Sequence, residues 1–196
     1  MNPLDNPNQT MALGFALAIV LAIVFVLITG SSSMDAWGMV LRWLHFLAGI
    51  TWIGLLYFFN LINTAFMKEL DAGQKNVVIP RLMPRALAWF RHGATVTVVA
   101  GILLYIHLYA KGGTGAIALG IGGVLGIIMF LNVWLLIWPN QKVVIRMTTE
   151  AAANRTSPPP EMAKHARVAF LASRTNFYLS FPMLFFMATA SHYQLF

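Results

Sequence analysis

The sequence predicts an all-α integral-membrane bundle of five spanning helices, on three observations. Of 196 residues, 59% are apolar and 10% charged, and mean hydropathy is +0.72, whereas a water-soluble domain carries about 25% charged residues. The charges are also segregated. Uncharged runs of 29 residues lie between Asp5 and Asp35, 25 between Arg42 and Lys68, 19 between Arg91 and Lys111, 30 between Lys111 and Lys142, and 22 after Arg174. Each is long enough for a helix to cross about 30 Å of hydrocarbon. Finally, the basic residues gather in two of the intervening segments, as topology signals do.

The first helix is expected over Met11 to Gly30, a stretch too long for the core of a cleavable leader and without a basic flank before it. The second covers Trp37 to Phe66. The third runs from Pro84, suited to a first turn, to Ala110. The fourth, Thr114 to Trp138, is glycine-rich and ends before Pro139; its Gly122 and Gly126 form a small-xxx-small pair that admits a neighbouring helix. The fifth runs from Arg167 to His192. The whole of 1–196 reads as a single membrane domain. Segments 67–83 and 139–166 are its cytoplasmic loops, the second holding the extended linker Ser157-Pro158-Pro159-Pro160.

Those two segments and the helix ends beside them carry 11 of the 13 lysines and arginines. The positive-inside rule therefore predicts the N-terminus inside and the C-terminus outside of a multi-pass chain with membrane lipid as partner. Several classes are excluded. With no cysteine there is no disulfide framework, thiolate metal site or covalent c-type heme attachment. The basic residues flank apolar segments instead of forming an aromatic-interleaved patch, so nucleic acid is not a partner. No Walker A loop, GxSxG elbow or HExxH occurs, and all six acidic residues fall in loops or tails.

Polar groups at membrane depth are costly unless paired, which makes them site candidates. An outer layer holds His45, His107 and His192. A heme b between helices needs imidazoles from opposite sides, space beside them and cations for its propionates. Gly49 and Trp52 follow His45 on one helical face as space and wall, and Arg42 and Lys111 lie one turn outward of His45 and His107. His45, His107 and His192 are thus the candidate iron ligands, with Arg42, Lys111, Trp52 and Gly49 completing the cofactor set. The alternative for each histidine is a single interhelical hydrogen bond. An inner layer holds Asn60, Asn63, Arg91, His92, Asn132, Arg174 and Asn176. Arg91 and Arg174 offer planar guanidinium groups, and Asn132 and Asn176 both donate and accept, a set suited to a quinone, a purine or lipid headgroups. The bland assignment for the arginines is snorkelling, and for Trp89, Trp134, Trp138 and Tyr178 an interfacial belt.

The run Arg42-Trp43-Leu44-His45-Phe46-Leu47-Ala48-Gly49-Ile50-Thr51-Trp52-Ile53-Gly54 with Tyr57-Phe58 resembles the second-helix signature of the membrane domain of bacterial cytochrome-c-linked urate oxidases. Met83-Pro84 through Trp89-Phe90, Asn132-Val133-Trp134 through Pro139-Asn140, and Arg174 through Pro182 with Ser191-His192-Tyr193 are similar to that family in the same order. The His45-x6-Trp52 element taken alone also resembles membrane protoporphyrinogen oxidases. The urate oxidase resemblance implies a redox module of the bacterial inner (plasma) membrane whose cytochrome c domain lies on the outer side. A chain without cysteine is then expected to pass electrons from heme b to a separate c-type cytochrome or a larger redox complex, as a urate oxidase-like oxidoreductase. The alternative is a non-catalytic accessory subunit of a respiratory or photosynthetic membrane complex.

Overall fold

The computed structural model describes residues 2–110 and 116–192. The order is α1 (Pro7–Thr29), α2 (Ser33–Tyr57), a π-helical segment Phe58–Asn63, α3 (Thr64–Glu69), α4 (Ala72–Ala110), α5 (Ala116–Asn132), a second π-helical segment Val133–Ile137, α6 (Trp138–Asn154) and α7 (Met162–His192). No strand occurs among the described residues. Because α2 to α3 and α5 to α6 run on through their π segments, five long helices result. Four, Pro7–Thr29, Ser33–Glu69, Ala72–Leu108 and Ala116–Asn154, are long and apolar enough to cross a membrane.

The fifth, α7, does not reach that apolarity: it carries Lys164, Arg167 and Arg174 as well as two polar residues of the core. Asn176 and Ser180 are completely buried on it. Both are satisfied inside the bundle, so that part of the helix's polarity faces protein.

The chain forms two compact units, Met1–Val40 and Leu41–Phe196. In the first, Asn6 caps α1 by accepting from the amides of Asn8 (2.9 Å) and Gln9 (3.4 Å). Pro7 occupies the first turn, and Gly30 ends the helix at φ +63°, a left-handed conformation open to glycine. Ser32 then starts α2: its Oγ accepts from the Asp35 amide and donates to the Asp35 carboxylate at 2.6 Å.

In the second unit the core gathers Trp52 and Leu56 from α2, Phe90 from α4, Met129 and Val133 from α5 and its π segment, and Ala172 from α7. The helices differ from the expected bounds at two prolines. The third begins at Ala72, twelve residues before Pro84, and holds Pro80 and Pro84 within it. Its polar first turns are tied by a reciprocal cap, Gln74 N to Asp71 Oδ1 at 2.8 Å and Asp71 N to Gln74 Oε1 at 2.9 Å. Pro139 does not stop the fourth helix. The π segment before it widens the turn so that Trp138 N donates to Val133 O, and α6 carries the helix on with the proline in its first turn. Most of the stretch 139–166 is therefore helix.

Candidate functional site

His45 lies on α2 against α4. Its Nδ1–H donates to Thr97 O at 2.8 Å. A Cβ on Gly101 would stand 2.9 Å from both His45 Cε1 and Nδ1, so the imidazole fills the place that glycine leaves open. One turn along, a Cβ on Gly49 would meet Thr97 Cγ2 at 3.7 Å, and one on Gly93 would meet Trp52 N at 3.3 Å and Ala48 O at 3.4 Å. Gly93, Thr97 and Gly101, spaced four apart on one face, make a small-residue track along which α2 is laid.

This arrangement decides how heme b fits. A hydrogen bond from Nδ1 to a carbonyl is what commonly orients a ligating histidine, leaving Nε2 for the metal. The remaining donor set does not follow. His107 stands six residues beyond Gly101, which puts it about 9 Å farther along α4 and about 240° round it from the face His45 occupies. Gly49 provides no slot, since Thr97 sits against it; Trp52 is buried in the core and Arg42 is exposed. Lys111 and the His192 side chain lie outside the described residues. His45 and His107 therefore do not fit a heme held between them.

The inner layer separates into two places. On one side of α5, Asn132 Nδ2 donates to Ala172 O (2.8 Å) and Asn176 Oδ1 (2.7 Å), and Asn176 Nδ2 donates to Met129 O (3.0 Å). Both hydrogens of the Asn132 amide are thereby spent between helices, while its buried Oδ1 has no partner. An apolar groove of about 640 Å³ runs past Asn132 between Leu131, Leu135 and Leu171. A neighbouring link of the same kind joins α2 to α7, Asn60 Nδ2 donating to Ser173 Oγ at 2.9 Å and to Leu56 O at 2.8 Å.

The other place is built around Arg91 on α4. Trp134 is two residues past Asn132, about 200° round the helix, and so faces α4 instead of α7. The Arg91 guanidinium carbon lies 3.3 Å from the Trp138 ring centroid and 5.9 Å from that of Trp134. Trp134 Nε1–H donates to Thr95 Oγ1 at 3.2 Å, and Thr95 Oγ1–H donates to Arg91 O at 2.9 Å. The Arg91 Nε and Nη1 groups are buried with no hydrogen-bond partner. Arg174 belongs to neither place. It sits 5.2 Å from the Phe170 ring on its own helix, about 200° from Asn176.

The four residues expected to share one substrate site thus divide: Asn132 with Asn176, Arg91 with the two tryptophans, Arg174 with Phe170. The cradle of Arg91 was not expected, because tryptophans near a membrane boundary read as an interfacial belt. Spacing held the signal, since Trp134 and Trp138 are one turn apart, as are Arg91 and Thr95.

Both indoles of the cradle, with Asn132, Arg174 and Asn176, lie in the part of the chain that has a counterpart among known families. Residues 112–196 match the urate oxidase N-terminal family. No curated protein and no solved structure matches. Two of the motifs that carry the resemblance in sequence, Asn132 to Asn140 and Arg174 to Pro182, fall within the urate oxidase N-terminal match, and Arg42 to Gly54 and Met83 to Phe90 precede it. Arg91 and His45 therefore stand outside the matched stretch, while the aromatic partners of Arg91 stand inside it.

Proposed function

We propose that the chain is the membrane part of a urate oxidase-type oxidoreductase and that Arg91 receives its planar, anionic substrate at the basic end of the bundle. The observation that carries this reading is the Arg91 guanidinium, stacked on Trp138 with its Nε and Nη1 hydrogens unspent. A cation bordered by aromatic rings and left with unpaired donors is stabilised by an anion or a carbonyl-rich ring. The urate oxidase N-terminal match supports the choice of urate. Hydroxylation of urate by water releases two protons and two electrons, so an electron acceptor is required, and two equivalents of a separate, one-electron c-type cytochrome fill that role.

Membranes containing the chain are expected to consume urate when cytochrome c is added and to reduce it in step. Arg91→Lys, which keeps the charge but loses the planar donor set, is expected to lower kcat/KM by about tenfold or more. Absence of turnover with and without cytochrome c overturns the reading.

A second reading, an accessory subunit without a cofactor, is favoured by His45, whose bond to Thr97 and fit against Gly101 give it a structural task. It predicts co-purification with partner chains and no urate turnover with or without added cytochrome c.

A further inference from the structure

We propose that Trp138 is a positioning residue for the anion-binding guanidinium of Arg91, with Trp134 and Thr95 fixing the frame in which it works. The inference rests on the urate reading above and deepens it, since it assigns the part of the site that selects for a charged ligand.

A membrane arginine has a long, flexible stem and ordinarily turns its head toward water. Here the head is retained among aromatic rings. The 3.3 Å separation from the Trp138 centroid is a stacked geometry, and the Trp134 ring, at 5.9 Å, borders the same guanidinium. A π-face attracts the cation without supplying a negative charge to cancel it. A carboxylate in the same place would spend the N–H donors and neutralise the site; two indoles leave the charge whole and the Nε and Nη1 donors unpaired. The cradle is also closed by hydrogen bonds: Trp134 is tied through Thr95 to the carbonyl of Arg91 itself. On the exposed side, Lys142 Nζ stands 5.5 Å from the Trp138 ring, so the indole has a second cation beside it, favourable for the approach of an anion.

Trp138 thereby acts through Arg91, and a double-variant cycle tests it with urate as the probe and the full chain in detergent. Trp138→Leu is expected to weaken urate binding about tenfold, and Trp138→Phe, which keeps an aromatic face, to restore it to within about threefold. In the Arg91→Lys background the Trp138→Leu change is expected to add less than about twofold, because the planar group it positions is already absent. Rescue by Phe together with non-additivity supports the proposal. Additive losses, or equal binding by Trp138→Leu and the parent, overturn it while leaving the urate reading intact. A parent chain that binds no urate overturns both. The unfolding temperature of each variant accompanies the titration, and if Trp138→Leu fails to fold the test passes to Trp138→Met, for which a loss of about tenfold supports the proposal and parent-like binding overturns it.

Discussion

Along α2 and α4, glycines at 93 and 101 and the Thr97 between them bring two backbones together, and one imidazole is wedged into the space the track leaves. Along α5 and α7, the contact is made instead by side-chain amides, with Asn132 and Asn176 bonded to each other and each to a carbonyl of the opposite helix. Helices in lipid gain little from hydrophobic contrast with their surroundings, so close approach and hydrogen bonding are the two means of association left to them. The seam of small residues is sensitive to added volume, whereas the amide seam is sensitive to lost partners.

Substitutions sharpen this contrast, and unfolding temperature in detergent micelles measures each. The largest effect is expected at Gly101→Val, about 3 kcal/mol, because the new side chain meets the His45 ring at the Cβ itself. Combining it with His45→Ala should return much of that loss, and a strictly additive double variant would show that the wedge is not the cause. On the amide seam, Asn176→Ala is expected to cost about 1.5 kcal/mol, since it strands Met129 O and one Asn132 hydrogen in a fully buried place. The smallest effect is expected within the glycine pair of α5. A Cβ at Gly122 would press on Met187 Cγ and Cε at 3.2 Å, while one at Gly126 would meet nothing within 4 Å. Gly122→Ala is then mildly destabilising, and Gly126→Ala is neutral or stabilises by about 0.5 kcal/mol through helix propensity. Equal behaviour of the two would dissolve the distinction.

The five long helices were legible in the charge-free runs, because the absence of charge over about twenty residues is a strong and local signal. The prolines misled for a physical reason. Pro84 reads as a first-turn residue and Pro139 as a stop, yet a π segment one turn upstream of Pro139 absorbs its ring, and no composition rule announces such a segment. His45 stood out because an intramembrane histidine is rare, but its partner is a backbone carbonyl, which carries no sequence signature. Asn132 and Asn176 were picked out by the cost of polar groups in lipid; that cost is met in part by their mutual bond, which no one-dimensional reading pairs across 44 residues. Arg91 was legible as a cation at depth and its cradle was not, since tryptophans at that level have a commoner explanation in the headgroup region.

The polar stripe of α7 also bears on how the bundle is made. Asn176 and Ser180 find their partners on α5 and α2, through Met129 O, Asn132 and the Tyr57 hydroxyl 3.2 Å away. Those helices precede α7 in the chain and are synthesised first. The hydrogen-bond partners of α7 thus stand on helices made before it, so a helix less apolar than the other four meets buried groups to dock on. The order of the helices along the chain then doubles as an order of assembly, in which the last helix is received on those that precede it.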